Sequence, residues 1–181
     1  MTLEPDLFPL KVQKKQLIAR DIWLFRLVHP KGHALPIFTA GAHLTVKTPG
    51  GQKRNYSLCN NPFETAYCEL AVKHERLGRG GSQSMVEQVQ EGDLLQVSMP
   101  QNDFGLSDQI KDVIFIAGGI GVTPLLSMLR QMLDARSMHA NARFRFYYCA
   151  RNPEGAAFVN ALQELNNASE IGEVSFHFDD G

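Results

Sequence analysis

What this sequence has little of narrows its reading first. Three cysteines, Cys59, Cys68 and Cys149, occur in 181 residues. The number is odd and the spacing long, which argues against a disulfide framework or a zinc site and leaves buried thiols as the expectation. The six histidines are scattered and form no HExxH or comparable ligand pair, so no metal bound by this chain is expected. Neither sign of charge dominates: 18 Lys+Arg against 19 Asp+Glu give a net charge of -1. There is no global basic field to steer the chain onto nucleic acid or anionic lipid. The longest apolar run, Val113 to Ala117, is far too short to span a bilayer. Met1 to Leu10 contains Glu4, Asp6 and two prolines, and lacks the basic start and apolar core of a secretory leader. A cytoplasmic protein with no nucleic-acid or membrane partner is the default expectation.

The composition, 44% hydrophobic and 20% charged, suits one large or two small globular domains. From Lys11 to about Met99 the periodicity is that of strands. Leu10 to Ala19, Asp21 to Val28, His43 to Lys47, Lys53 to Cys59, Tyr67 to Glu75 and Leu94 to Met99 are the candidates. Turn signals separate them, among them Pro30-Lys31-Gly32, Pro49-Gly50-Gly51 and Glu91-Gly92-Asp93. Antiparallel strands at this spacing close most economically into a small barrel, which removes their open edges.

The stretch Arg54-Asn55-Tyr56-Ser57-Leu58-Cys59-Asn60 puts a fixed cation, a phenol and a hydroxyl at one strand end. Alternation turns Arg54, Tyr56 and Leu58 one way and Asn55, Ser57 and Cys59 the other. One reading is the wall of a flavin site, with the guanidinium fork of Arg54 on a phosphate. The other is an ordinary edge strand with a surface Arg and a half-buried Tyr. Gly78-Arg79-Gly80-Gly81-Ser82 then runs into a helix expected over Gln83 to Val89, with Ser82 as its cap. Free amides at such a helix start make a phosphate site; a flexible hairpin before a capped helix is the alternative. Leu70-Ala71-Val72-Lys73-His74 is a strand in which small Ala71 lets a flat ring approach the backbone. A barrel strand with an exposed Lys73 accounts for it equally well.

After Gly105 the pattern changes. Asp112 to Ala117 has the apolar, β-branched character of a strand buried on both faces of a parallel sheet. It runs into Gly118-Gly119-Ile120-Gly121-Val122-Thr123-Pro124 and a helix expected over Leu125 to Ala135, with Thr123 as cap and Pro124 in the first turn. Strand, glycine turn and helix start is the dinucleotide arrangement, with Gly119 and Gly121 admitting a pyrophosphate. The third glycine of that fingerprint is replaced by Pro124. Phe144 to Ala150, a helix over Glu154 to Leu165 and a strand over Glu173 to Phe178 continue the βαβαβ rhythm. Arg151 stands at the tip of the second strand, where an acidic residue often meets the ribose. It is either an adenine- or phosphate-binding group or a solvated cation, so charge does not choose between NADH and NADPH.

Taken together, Ile18-Ala19-Arg20-Asp21-Ile22-Trp23, the RNYSLCN stretch, Ala71-Val72-Lys73, Gly78-Arg79-Gly80-Gly81-Ser82 and Ala117 to Pro124 resemble the phthalate dioxygenase reductase family, within the wider ferredoxin reductase superfamily. The resemblance implies a six-stranded antiparallel Greek-key flavin barrel over residues 1–106. It also implies a partial Rossmann-like, parallel α/β NAD-binding domain over 107–181. It implies FMN, with FAD as the alternative, and places Arg54 with Gly80, Gly81 and Ser82 at its phosphate. Asn55 and Tyr56 would lie along it, Ser57 near N5, Ala71, Val72 and Lys73 by its pyrimidine edge, and Thr123 between flavin and nicotinamide. The implied activity is hydride transfer from NADH to FMN, with Ser57 and Thr123 as the catalytic pair. Electrons would then pass one at a time toward a 2Fe-2S centre and a Rieske-type oxygenase or a ferredoxin. An FAD- and NADPH-dependent ferredoxin reductase and a non-catalytic flavin-binding module are the competing readings. The family's Cys-Gly-Pro segment and C-x4-C-x2-C cluster ligands have no counterpart in these 181 residues. The expectation is a shortened reductase that holds FMN, binds NADH weakly and has no cluster of its own.

Overall fold

The structure, a computed structural model, describes residues 6–179. Six antiparallel strands come first: β1 (Leu7–Ala19), β2 (Ile22–Val28), β3 (His43–Lys47), β4 (Lys53–Ser57), β5 (Cys68–Lys73) and β6 (Leu94–Ser98). They run in the order β4-β3-β6-β1-β2-β5. A bridge from Leu58 to Leu70, with Cys59 N–H donating to Glu69 O at 2.9 Å, brings the ends together and closes the barrel. Strands β3, β4 and β5 are successive neighbours and β6 returns beside β3, which is the Greek-key connection. Alternate side chains fill the interior: Leu10 and Val12, Phe25 and Leu27, Leu44 and Val46, Leu70 and Val72, Leu95 and Val97. Strand β1 is longer than its apolar pattern because Leu7 to Lys11 pairs with β6 while Lys11 to Ala19 pairs with β2.

Helix α1 (Gly81–Gln88) follows β5 and plugs one end of the barrel with Met85, Val86 and the adjoining Val89. It starts two residues before the expected Gln83, and Ser82 is not its cap. Gly80, at φ +83, takes the left-handed conformation that turns the chain into the helix, and Ser84 N–H bonds its carbonyl at 2.9 Å. The Ser82 hydroxyl accepts instead from Glu75 N–H at 3.1 Å.

The second half is a parallel sheet, β7 (Asp112–Gly118), β8 (Arg143–Ala150) and β9 (Gly172–Phe178), in that order. Helices α2 (Val122–Met132) and α3 (Val159–Asn167) pack into one core with Phe115, Ala117, Phe144, Phe146 and Tyr148. Two expectations fail here. Strand β7 is not buried on both faces: Ile114 and Ile116 are 62% and 72% exposed, because α2 and α3 cover only the face that Phe115 and Ala117 share. Nor does Thr123 cap α2. The helix begins at Val122, so Thr123 already lies in its first turn and its hydroxyl donates back to Ile120 O at 3.0 Å. The helix expected from Glu154 is likewise divided. Asn152 Oδ1 accepts from Gly155 N–H and holds a 3-10 turn at Pro153–Gly155, and Phe158 at φ 63 separates that turn from α3.

The halves are joined by apolar packing of Ile22 and Ala71 on Ala157, flanked by Ile120 and Phe158. Polar bonds add to it: Arg20 N–H to Glu154 O at 2.7 Å, Ser127 Oγ to Asn60 O at 2.9 Å, and Asn61 Nδ2 to Asp134 Oδ2 at 2.7 Å. Among the described residues no helix is long and apolar enough to cross a membrane.

Candidate cofactor site between the barrel and the parallel sheet

Strand β4 bonds β3 along one side, with His43 opposite Ser57 and Val46 opposite Arg54. On its other side, among the described residues, the only bridge lies beyond its end, at Leu58. The edge from Arg54 to Ser57 therefore keeps unpaired backbone groups, and a cavity of about 510 Å³ borders it. Because the cavity follows that edge, side chains from both strand faces line it: Arg54, Asn55, Tyr56 and Ser57. Ala71 and Lys73 of β5 supply a second wall, Arg79, Gly81 and Ser82 a third, and Ile120 to Pro124 closes it from the nucleotide-type half.

Arg54 and the start of α1 meet here. A Cβ placed on Gly81 would lie 3.0 Å from Arg54 Nε, so the missing side chain is what lets the guanidinium lie on the helix N-terminus. Arg54 Nη1 donates to Lys53 O at 2.8 Å, which holds one side of the fork. Gln52 Nε2 reaches Arg79 O at 3.4 Å and braces the loop before the helix. The first turn of α1 carries no acidic residue, and Arg54, Lys73 and Arg79 outnumber the one lining carboxylate, Glu75. Such a cluster suits an anion.

Tyr56 packs on the barrel core, and its hydroxyl is buried without a hydrogen-bond partner. Burial pushes its phenol up to about 12, with nearby Arg54 opposing, so Tyr56 is a neutral donor with an unmet need. Asn55 is the outward member of the group, its Oδ1 accepting from Thr45 Oγ1 at 2.9 Å. Two expected contributors stand differently. Val72 is fully buried with its side chain in the barrel core, so only its backbone is available to a ligand. Gly80 does not line the cavity; it supplies the turn that aims Gly81 and Ser82 at it.

A second cavity of about 560 Å³ lies at the C-terminal ends of β7 and β8, lined by Gly119, Cys149, Arg151 and Asn152 from the sheet and by Arg20 and His74 from the barrel. It shares Lys73, Glu75 and Ile120 with the first. The crevice beyond the strand ends is where open α/β sheets take ligands. Gly119, at φ +49, has open space where a side chain would stand. Gly119 and Arg151 thus border one cavity, Gly121 and Thr123 the other.

Glu75 was not foreseen. It pairs with Lys73 at 2.7 Å, and both rim the two cavities. The i, i+2 spacing at the end of β5 was its only signal. A larger groove of about 990 Å³ on the barrel–sheet junction is lined by Arg26 and Glu69, paired at 2.8 Å, and by Asp134, which pairs with Arg136 beside the groove at 2.7 Å. Among the described residues no group of three His, Cys, Asp or Glu side chains is placed to hold a metal.

Comparison with known proteins accords with this geometry. The oxidoreductase FAD-binding domain family matches residues 9–105, and the oxidoreductase NAD-binding domain family matches residues 115–178. The chain is 46% identical to phthalate dioxygenase reductase of Burkholderia cepacia over 98% of its own length and 53% of that protein's. It is 48% identical to the phthalate 4,5-dioxygenase oxygenase reductase subunit of Pseudomonas putida over 95% and 51%. A solved phthalate dioxygenase reductase, described as a modular structure for electron transfer from pyridine nucleotides to [2Fe-2S], superposes with a TM-score of 0.84 at 45% identity. That match covers 97% of this chain and 52% of the other. The chain thus spans about half the length of these relatives. It belongs to the oxidoreductase FAD-binding domain family and is a homologue of the phthalate dioxygenase reductases.

Proposed function

We propose that this chain is the flavin- and nicotinamide-binding part of an oxygenase reductase, holding FMN along the open edge of β4 and reducing it with NADH. The flavin unit would run to about residue 106 and the nucleotide unit from 107 on. The observation that carries this reading is the meeting of Arg54 with the Gly81 end of α1, in a cavity whose far side is the Ile120 to Pro124 turn. One guanidinium and one helix start make a clasp for a phosphate, and the choice of FMN over FAD rests on the family resemblance.

Bound flavin supplies the acceptance of a hydride from nicotinamide and the release of single electrons. The chain's part is placement. Arg54 and the amides of Gly81 and Ser82 hold the phosphate, and Tyr56 offers its unpartnered hydroxyl along the cofactor. Ala71, without bulk, lets a ring lie near β5, with Lys73 at the rim. Ser57 and Thr123 face one cavity from opposite halves, the arrangement needed to orient two stacked rings between them. Gly119, Gly121 and Arg151 serve the dinucleotide. The reduced chain would pass electrons toward a 2Fe-2S centre, as the description of the solved relative suggests, and on to a Rieske-type oxygenase or a ferredoxin, as the family resemblance implies.

The test is to load the protein with FMN, remove free flavin by gel filtration and mix with NADH in a stopped-flow instrument. Prompt bleaching of the bound flavin absorbance is expected. A protein that stays yellow at millimolar NADH is a passive flavin binder, and one that keeps no flavin refutes the site. Mass spectrometry of released flavin separates FMN from FAD.

A further inference from the structure

The eight residues of α1, Gly81–Gln88, place no acidic side chain in the first turn and no basic one in the last. The bare N-terminal end leaves the amides beside Arg54 open to an anion. The C-terminal end has the opposite need, since its last carbonyls have no partner within the helix and carry the negative end of its dipole. That need is met from another part of the chain. Lys15, on β1, donates from Nζ to Val86 O at 2.5 Å and to Val89 O at 2.7 Å. Its ammonium lies 5.0 Å from the Trp23 ring centroid and 5.9 Å from that of Phe25. Its own backbone N–H donates to Glu91 Oε1 at 2.8 Å, and Val12 exchanges backbone bonds with Gly92 and Asp93. The exit of α1 is therefore stitched to β1, and among the described residues Lys15 is the side chain that bonds a last-turn carbonyl of the helix, Val86, together with that of the adjoining cap residue, Val89.

We propose that Lys15, which does not line the cavity, is a positioning residue for the cofactor phosphate: by anchoring the far end of α1 it keeps the Gly81 and Ser82 amides aimed beside Arg54. This inference rests on the flavin reading above. An eight-residue helix is about 12 Å long. The screening length at physiological salt is about 8 Å, so the ammonium's direct field at the phosphate is small. The coupling therefore runs through helix order and not through long-range charge. A short helix is marginal by itself and takes its stability from packing and from its ends. Loosening one end of α1 thus blurs the other.

The experiment compares FMN with riboflavin, which lacks the phosphate, by fluorescence titration of the wild-type protein, Lys15→Met and Lys15→Arg. Loss of the two charge-assisted hydrogen bonds is expected to weaken FMN binding about five- to tenfold. Riboflavin binding should stay within about twofold of wild type, and K15R should regain most of the FMN affinity, because only the phosphate is read by α1. Equal weakening of both ligands, or of neither, overturns the inference and makes Lys15 a purely structural cap. If K15M does not fold, K15Q, which keeps a neutral donor, is judged by the same FMN-to-riboflavin ratio. Wild-type protein that binds the two flavins equally refutes the phosphate clasp itself, which separates failure of the underlying reading from failure of this one.

Discussion

Arg130, on α2, donates from Nη1 to the carbonyl oxygen of Cys59 at 2.6 Å. The helix that starts at the Gly119–Thr123 turn is thereby bonded to the chain two residues beyond Ser57. The carbonyl of Asn60 takes a second bond from Ser127 at 2.9 Å on the same helix. The two walls of the cavity that carry Ser57 and Thr123 are thus held by short bonds, and not by surface contact alone.

Removing that cation while keeping its volume should loosen the junction. Arg130→Met leaves Glu69 paired with Arg26 at 2.8 Å, so the loss is mainly the bond to Cys59. A charge-assisted bond of this kind contributes about 1.5–3 kcal/mol, which corresponds to a fall in thermal midpoint of roughly 3–12 °C for a chain of this size. Reduction by NADH should slow more than flavin affinity falls. A midpoint within one degree of wild type would count against the junction.

Arg54→Ala should release flavin from a barrel that still folds. The lost phosphate bonds correspond to about 2–3 kcal/mol, or roughly a thirty- to 150-fold weakening of FMN. Absorbance retained after gel filtration reads this directly, and a variant that stays as yellow as wild type removes Arg54 from the phosphate.

Gly81→Ala sets two effects against each other. Alanine favours the helix over glycine by up to about 1 kcal/mol, so the thermal midpoint should not fall. Its Cβ, however, would stand 3.0 Å from Arg54 Nε and push the guanidinium off the helix start. Stable protein with FMN binding weakened severalfold is the expected pair of results. Gly80→Ala differs, because φ +83 is strained for any side chain and about 1 kcal/mol of stability should be lost with it.

The three thiols should separate in a dithionitrobenzoate titration of native protein at pH 8. Burial, with Glu69 adding to it, pushes the Cys68 thiol up to about 12 and holds Cys59 above the thiol range, whereas Cys149 is exposed. Only thiolates react, so one fast equivalent is expected from native protein and three after denaturation. Two fast equivalents would mean that the barrel opens near Cys59 and Cys68.

The strands were legible because their signal is local. Leu44 and Val46, or Leu70 and Val72, alternate in the sequence as they alternate in the barrel. Helix starts were placed less well for a physical reason. Ser82 and Thr123 are good caps by residue type, but backbone dihedrals at Gly80 and packing at Val122 set the first turn earlier, and both hydroxyls bond elsewhere. The expected burial of Ile114 and Ile116 failed because an apolar strand does not say how many of its faces are covered.

The sequence by itself determined the order of elements, the family resemblance and the residue types that meet a phosphate, since each depends on neighbours a few positions apart. Only the tertiary structure decided that Arg54 lies on the Gly81 end of α1 and that Lys15 holds its other end. Those relations join residues tens of positions apart, and they exist only once barrel closure and the packing of α2 have fixed which surfaces face each other.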